Sequence, residues 1–160
     1  MQHKNVMVNY REYDSIEELP VSSKELLEEA VKATESSYAP YSNFNVGAAV
    51  RVSGGAVVTG SNQENAASPS GLCAERVAVF SAHHMYPSSG IEAIAIVAKQ
   101  NGKITCELTY PCAACVQVMV ESQKRSGKPI EIIVGSASKI HVFPSVDALL
   151  PFSFAELFGK

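Results

Sequence analysis

The chain has 160 residues, 46% of them hydrophobic and 18% charged, which suits a single soluble domain with enough apolar material for a sizeable core. The formal net charge is −3, and Lys124, Arg125 and Lys128 form the only basic cluster, too little for a surface that tracks a phosphate backbone. No apolar run approaches the roughly 18 residues that span a bilayer, and the N-terminus lacks a signal-peptide core, which argues against membrane and nucleic-acid partners.

Residues 1–20 read as an extension. Asn5 to Tyr10 alternates enough for a short edge strand or an arm on a neighbouring subunit, and Ser15 to Leu19 suits one helical turn. The main domain, residues 21–160, then opens with a helix. Ser22 or Ser23 is its expected cap, Leu26, Leu27, Ala30 and Val31 form its apolar stripe, and Pro40 lies beyond its end. Phe44 to Gly60 reads as a β-hairpin turning at Ser53-Gly54-Gly55, and Ser61 to Leu72 as a polar loop.

A helix is expected from Cys73 to about His84, broken by Pro87-Ser88-Ser89-Gly90. His83 and His84 lie about 15 Å along that helix from Cys73, too far to share a metal with it. Ile91 to Ala98 is a near-continuous apolar run, the mark of a buried strand. Ile104 to Leu108 reads as another, with Cys106 in it as an ordinary core cysteine. A third helix should run from Pro111 to about Arg125 and stop at Ser126-Gly127. The strands Ile130–Gly135 and Lys139–Phe143 are separated by only three residues, so as neighbours they must be antiparallel. A short helical turn at 145–151 and a tail containing Phe152, Phe154 and Phe158 end the chain, and aromatics in such a tail suggest an interface.

The chemistry concentrates in Cys73-Ala74-Glu75-Arg76 and Pro111-Cys112-Ala113-Ala114-Cys115, which hold three of the four cysteines. A C-x-x-C pair opening a helix presents two sulfurs about a turn apart, and Cys73 adds a third corner of a tetrahedron, which suits zinc with one position open for water. Helix N-termini favour thiolate through their partial positive charge. Alternatives are a redox pair, or a structural four-thiol site that recruits Cys106. A disulfide framework does not fit a chain of this size and core, and thiol ligands agree with a reducing, cytoplasmic compartment.

At these residues the sequence resembles the zinc-dependent cytidine deaminases, in the small homotetrameric type with three cysteine ligands. The resemblance runs from about Leu26 to the C-terminus. It rests on Tyr38-Ala39-Pro40-Tyr41-Ser42, Phe44-Asn45-Val46-Gly47-Ala48, Asn62-Gln63-Glu64-Asn65 and the two cysteine motifs, in the family's order. It implies an α/β fold, a three-layer α/β/α sandwich around a mixed sheet of about five strands, and a homotetramer. It implies one zinc per chain on Cys73, Cys112 and Cys115, with Glu75 as the acid/base group. Arg76 and Gln117 would support the ligands by hydrogen bonds. Phe44, Asn62, Glu64, Ala74 and Phe154 would contact substrate, Asn62 and Glu64 at the ribose hydroxyls and Phe154 in a neighbour's site.

The implied reaction is hydrolytic deamination of cytidine or deoxycytidine to the uracil nucleoside and ammonia. Three positions depart from the family pattern. Ser68 lies in a segment that lacks a tyrosine frequent there, Tyr110 stands where serine is common, and Val116 where arginine is common. These departures keep open a second reading, a deaminase of a modified cytosine nucleoside or a cytosine-containing antibiotic.

Overall fold

The apolar run after Gly90 becomes strand β4, Ile91–Gln100, the centre of the computed structural model, which describes residues 1–155. On one side β4 pairs antiparallel with β2 (Phe44–Val52), which pairs with β3 (Val57–Ser61). On the other it pairs in parallel with β6 (Glu131–Gly135), followed antiparallel by β7 (Ile140–Phe143) and β1 (Arg11–Tyr13). The mixed sheet therefore runs β1-β7-β6-β4-β2-β3, with a two-residue strand β5 (Lys103–Ile104) on the end of β4. Five of the strands read from the sequence, β2, β3, β4, β6 and β7, form its body. The other two are β1, supplied by the extension, and β5.

Alternation along the strands sets the layers. Ile94 and Ile96 of β4 join Ile132 and Val134 of β6 in a core beneath helices α2 (Ala74–Met85) and α3 (Ala113–Ser126). The opposite face carries Ala49, Ala93, Ala95 and Ile133, where small side chains let helix α1 (Val21–Ala33) settle close to the sheet. The parallel β4–β6 pair requires a crossover, and α3 is that crossover. Both α2 and α3 lie on one face. No helix among the described residues is long and apolar enough to cross a membrane.

Several local expectations change. Helix α1 starts at Val21 with Pro20 as its cap. Ser23 is instead buried inside the helix, and its hydroxyl donates to Glu131 (2.9 Å). In the extension, strand pairing covers Arg11–Tyr13 rather than Asn5–Tyr10, with Glu12 directly opposite His141. The strand expected over Ile104–Leu108 stops at Ile104. Thr105 N–H still donates to Ala98 C=O of β4, and beyond it the chain is held by the β6–β7 turn, with Ala137 N–H donating to Thr105 C=O and the Ser138 hydroxyl to Cys106 C=O. Cys106 is accordingly exposed, not a core residue.

Two glycines fix how closely the helices approach. A Cβ at Gly47 would lie 2.0 Å from the Ala30 carbonyl of α1, and one at Gly60 would lie 2.4 Å from the Ala78 nitrogen and 2.7 Å from the Ala74 carbonyl of α2. These are backbone atoms and cannot swing aside. Gly60→Ala should therefore push the start of α2 off the sheet and cost about 1–3 kcal/mol. Denaturant unfolding checks this, with a lower midpoint expected.

Candidate metal centre and active site

Cys73 and Cys112 are the cap residues of α2 and α3, and Cys115 lies in the first turn of α3. Both capping sulfurs thus sit at helix N-termini. The expected helix starts shift slightly: Pro111 precedes the cap rather than opening the first turn. The sulfurs of Cys73, Cys112 and Cys115 lie within 4.8 Å of one another, the one such cluster among the described residues. All are free thiols, with 3.4 Å between the sulfurs of Cys112 and Cys115. Cys106 is not in the group, so the three-thiol arrangement prevails over the four-thiol one.

The charges around this cluster are specific. Glu75 is only 5% exposed, and burial pushes its carboxyl up, against its own backbone N–H, the Cys115 thiol and Arg76. Burial likewise pushes the Cys115 thiol up, with the adjacent Glu75 charge adding to it. At Cys112 burial is outweighed, since hydrogen bonds from the Cys115 backbone and thiol draw that thiol down. Arg76 donates an N–H to Cys73 Sγ at 3.8 Å, while its buried Nε has no partner. An orphaned buried N–H typically costs about 1–3 kcal/mol. A guanidinium aimed at thiols, with donor capacity to spare, fits sulfurs that become anionic on a metal. The donor set fits zinc, three thiolates leaving a coordination position open.

A cavity of about 540 Å³ opens beside this cluster, reaching Cys73 and Arg76 at one end and Asn62, Glu64 and Asn65 at the other. Asn62 braces the start of β2, accepting from Val46 N–H (2.8 Å) and donating to Phe44 C=O (2.9 Å). Glu64 accepts from the Tyr41 and Ser42 amides and from the Ser42 hydroxyl. That hydroxyl bond, with the backbone donors, holds its carboxyl below the usual range. Ser68 also lines this cavity.

Other expected residues fall elsewhere. Phe44 lines a separate hollow with Cys106 and Thr109, and Ala74 is fully buried under Gly60. Gln117 turns to the C-terminal tail, donating to Phe154 C=O (2.7 Å) and accepting from Phe154 N–H (3.3 Å). Its amide is thereby committed to backbone rather than to the thiols. The Phe154 ring is exposed, and Phe158 lies outside the described residues. Val116 is buried in the apolar core, where it presents no charge to the thiols. His83 pairs with Ser122 of α3 (3.0 Å), away from the sulfurs.

Sequence reading missed His141. It is nearly buried, with Nε2 2.6 Å from Glu12 Oε2 and Nδ1 2.7 Å from the Tyr110 hydroxyl. The one sequence signal is a histidine inside an otherwise apolar strand, Ile140-His141-Val142-Phe143.

A family model described as the cytidine and deoxycytidylate deaminase zinc-binding region matches residues 20–127. The chain is 43% identical over 99 residues to a cytidine deaminase of Halalkalibacterium halodurans, covering 60% of this chain and 68% of that protein. A cytidine deaminase of Mycobacterium tuberculosis is 41% identical over 92 residues, covering 58% and 65%. Among solved structures, cytidine deaminase from Burkholderia pseudomallei has a TM-score of 0.67 at 39% identity, covering 81% of this chain and 97% of that one. The M. tuberculosis enzyme gives 0.66 at 32% identity, covering 84% and 98%.

The cysteine geometry makes a direct prediction. Cys106→Ser should retain about one zinc per chain, whereas Cys73→Ser, Cys112→Ser and Cys115→Ser should each bind it far more weakly. Metal analysis after dialysis against a mild chelator checks both.

Proposed function

Because the chain belongs to the cytidine and deoxycytidylate deaminase zinc-binding family, we propose that it hydrolyses cytidine to uridine and ammonia, and deoxycytidine likewise. The observation that carries this reading is Glu75, a buried carboxyl at the start of α2, set against Cys115 of the thiol cluster. Zinc held by Cys73, Cys112 and Cys115 would supply the Lewis acidity that makes water nucleophilic near neutral pH.

Glu75 moves the protons. Its carboxylate accepts one from the attacking water as the oxygen bonds to C4 of the cytosine ring and delivers it to ring N3. It then carries the second proton to the departing amine, so water and cytidine leave as uridine and ammonia. A carboxyl raised by burial is suited to hold and release protons in turn. Arg76 steadies Cys73 and offsets the charge of three thiolates.

In this reading the cavity beside Cys73 takes the nucleoside. Asn62 and Glu64 line it, and both can bond ribose hydroxyls with the capacity left beyond their backbone contacts. Residues 21–160 are the catalytic domain and residues 1–20 an extension. A homotetramer follows from the resemblance to the small three-cysteine type, and the exposed Phe80, Phe152 and Phe154 offer apolar surface for such contacts, with Phe154 reaching towards a neighbour's substrate. Three thiols held as ligands agree with a cytoplasmic location.

Glu75→Gln separates the roles. It should fold and hold zinc but lose about 10²–10⁴ in turnover. Loss of cytosine absorbance on cytidine and deoxycytidine measures this, and near-normal turnover would remove Glu75 from the mechanism.

A further inference from the structure

We infer that β1 is a strap on the active-site loop: Glu12, acting through His141, holds Tyr110 and thereby fixes the segment that delivers Cys112. The inference rests on Cys112 being a zinc ligand. Glu12, His141 and Tyr110 are then positioning residues, none of which touches the reacting atoms.

One imidazole joins the extension to the active-site loop. A carboxylate only accepts, so Nε2 of His141 donates to Glu12 Oε2 at 2.6 Å. In the neutral ring this leaves Nδ1 as the acceptor, and the Tyr110 hydroxyl donates to it at 2.7 Å. Both ends of a nearly buried ring are thus spoken for, and its orientation is fixed. The Tyr10 ring lies over it at 4.5 Å between centroids, and Lys139 holds the other Glu12 oxygen at 3.2 Å. Glu12 and Tyr10 both come from the extension. Without β1, strand β7 would form the sheet edge and His141 Nε2 would lose its carboxylate.

The other end of the chain of bonds reaches the metal loop. The segment after β5 is tied to the β6–β7 turn at Thr105 and Cys106. Among the described residues, Leu108 to Pro111 make no hydrogen bond other than the one from Tyr110 to His141. Tyr110 is joined to Cys112 through Pro111 alone, whose ring fixes its own φ. Displacing the phenol therefore displaces Cys112, the most exposed part of the thiol cluster. An edge strand meant only to cover β7 would need neither a buried histidine nor a tyrosine beside a ligand.

Holoenzyme variants test the strap: Tyr110→Phe, which keeps the ring, then Glu12→Ala and Glu12→Gln. The readouts are the rate of zinc transfer to a chromogenic chelator and the separate kcat and KM for cytidine. Tyr110→Phe and Glu12→Ala should release zinc on the order of ten-fold faster and lower kcat at unchanged KM, as for other residues that orient metal ligands indirectly. Glu12→Gln, whose amide oxygen still accepts from Nε2–H, should restore most of both. Zinc release at the wild-type rate in Tyr110→Phe and Glu12→Ala would overturn the strap. Cys112→Ser is measured alongside. If it held zinc as well as the wild type, the ligand assignment would fall and the strap with it. If it lost zinc while the other variants did not, the strap alone would fall.

Discussion

The structure depends on bringing two helix N-termini to one point on one face of the sheet. Cys73 caps α2 and Cys112 caps α3, and the sulfurs meet only because both helices pack on the same side of β4. The parallel pairing of β4 with β6 forces α3 to be a crossover, which places its start beside that of α2. The second condition is closeness. Gly60 lets the first turn of α2 rest on strand backbone, where any side chain would collide with Ala74 and Ala78. The fold contributes geometry, and the two helix starts contribute the field.

That field explains how residues of like charge share a small space. Burial raises the proton affinity of both Glu75 and Cys115, the Glu75 charge raises that of Cys115 further while the Cys115 thiol draws Glu75 down, Cys112 is lowered, and Arg76 supplies the positive charge. Val116 leaves Arg76 as the arginine that meets the cluster from the two cysteine motifs, and this assigns it more of the charge balance. The sheet edge near β7 adds a further layer, where His141 joins the extension to the segment that ends at Cys112.

Much of this was legible in the sequence because it depends on local spacing. The C-x-x-C pair with Cys73, the hairpin of β2 and β3, the apolar run of β4 and the three-residue turn before β7 all survive in the structure. What was not legible depends on distant partners. Residues 104–108 look like a strand by composition, but after a last bond from Thr105 N–H to β4 their partner is the β6–β7 turn, so the strand ends and Cys106 faces solvent. The extension pairs at Arg11–Tyr13 because β7 offers Glu12 a histidine, a match that no local pattern reveals. Gln117 reads as support for the ligands, yet the tail's Phe154 backbone claims its amide.

The proposed chemistry depends on a zinc held by three sulfurs with its fourth position free for reaction. Zinc-edge X-ray absorption on the purified holoenzyme tests it most directly. Three sulfurs at about 2.3 Å and one oxygen or nitrogen at about 2.0 Å are expected. Four sulfurs, or a shell with the signature of histidine ligands, would contradict it.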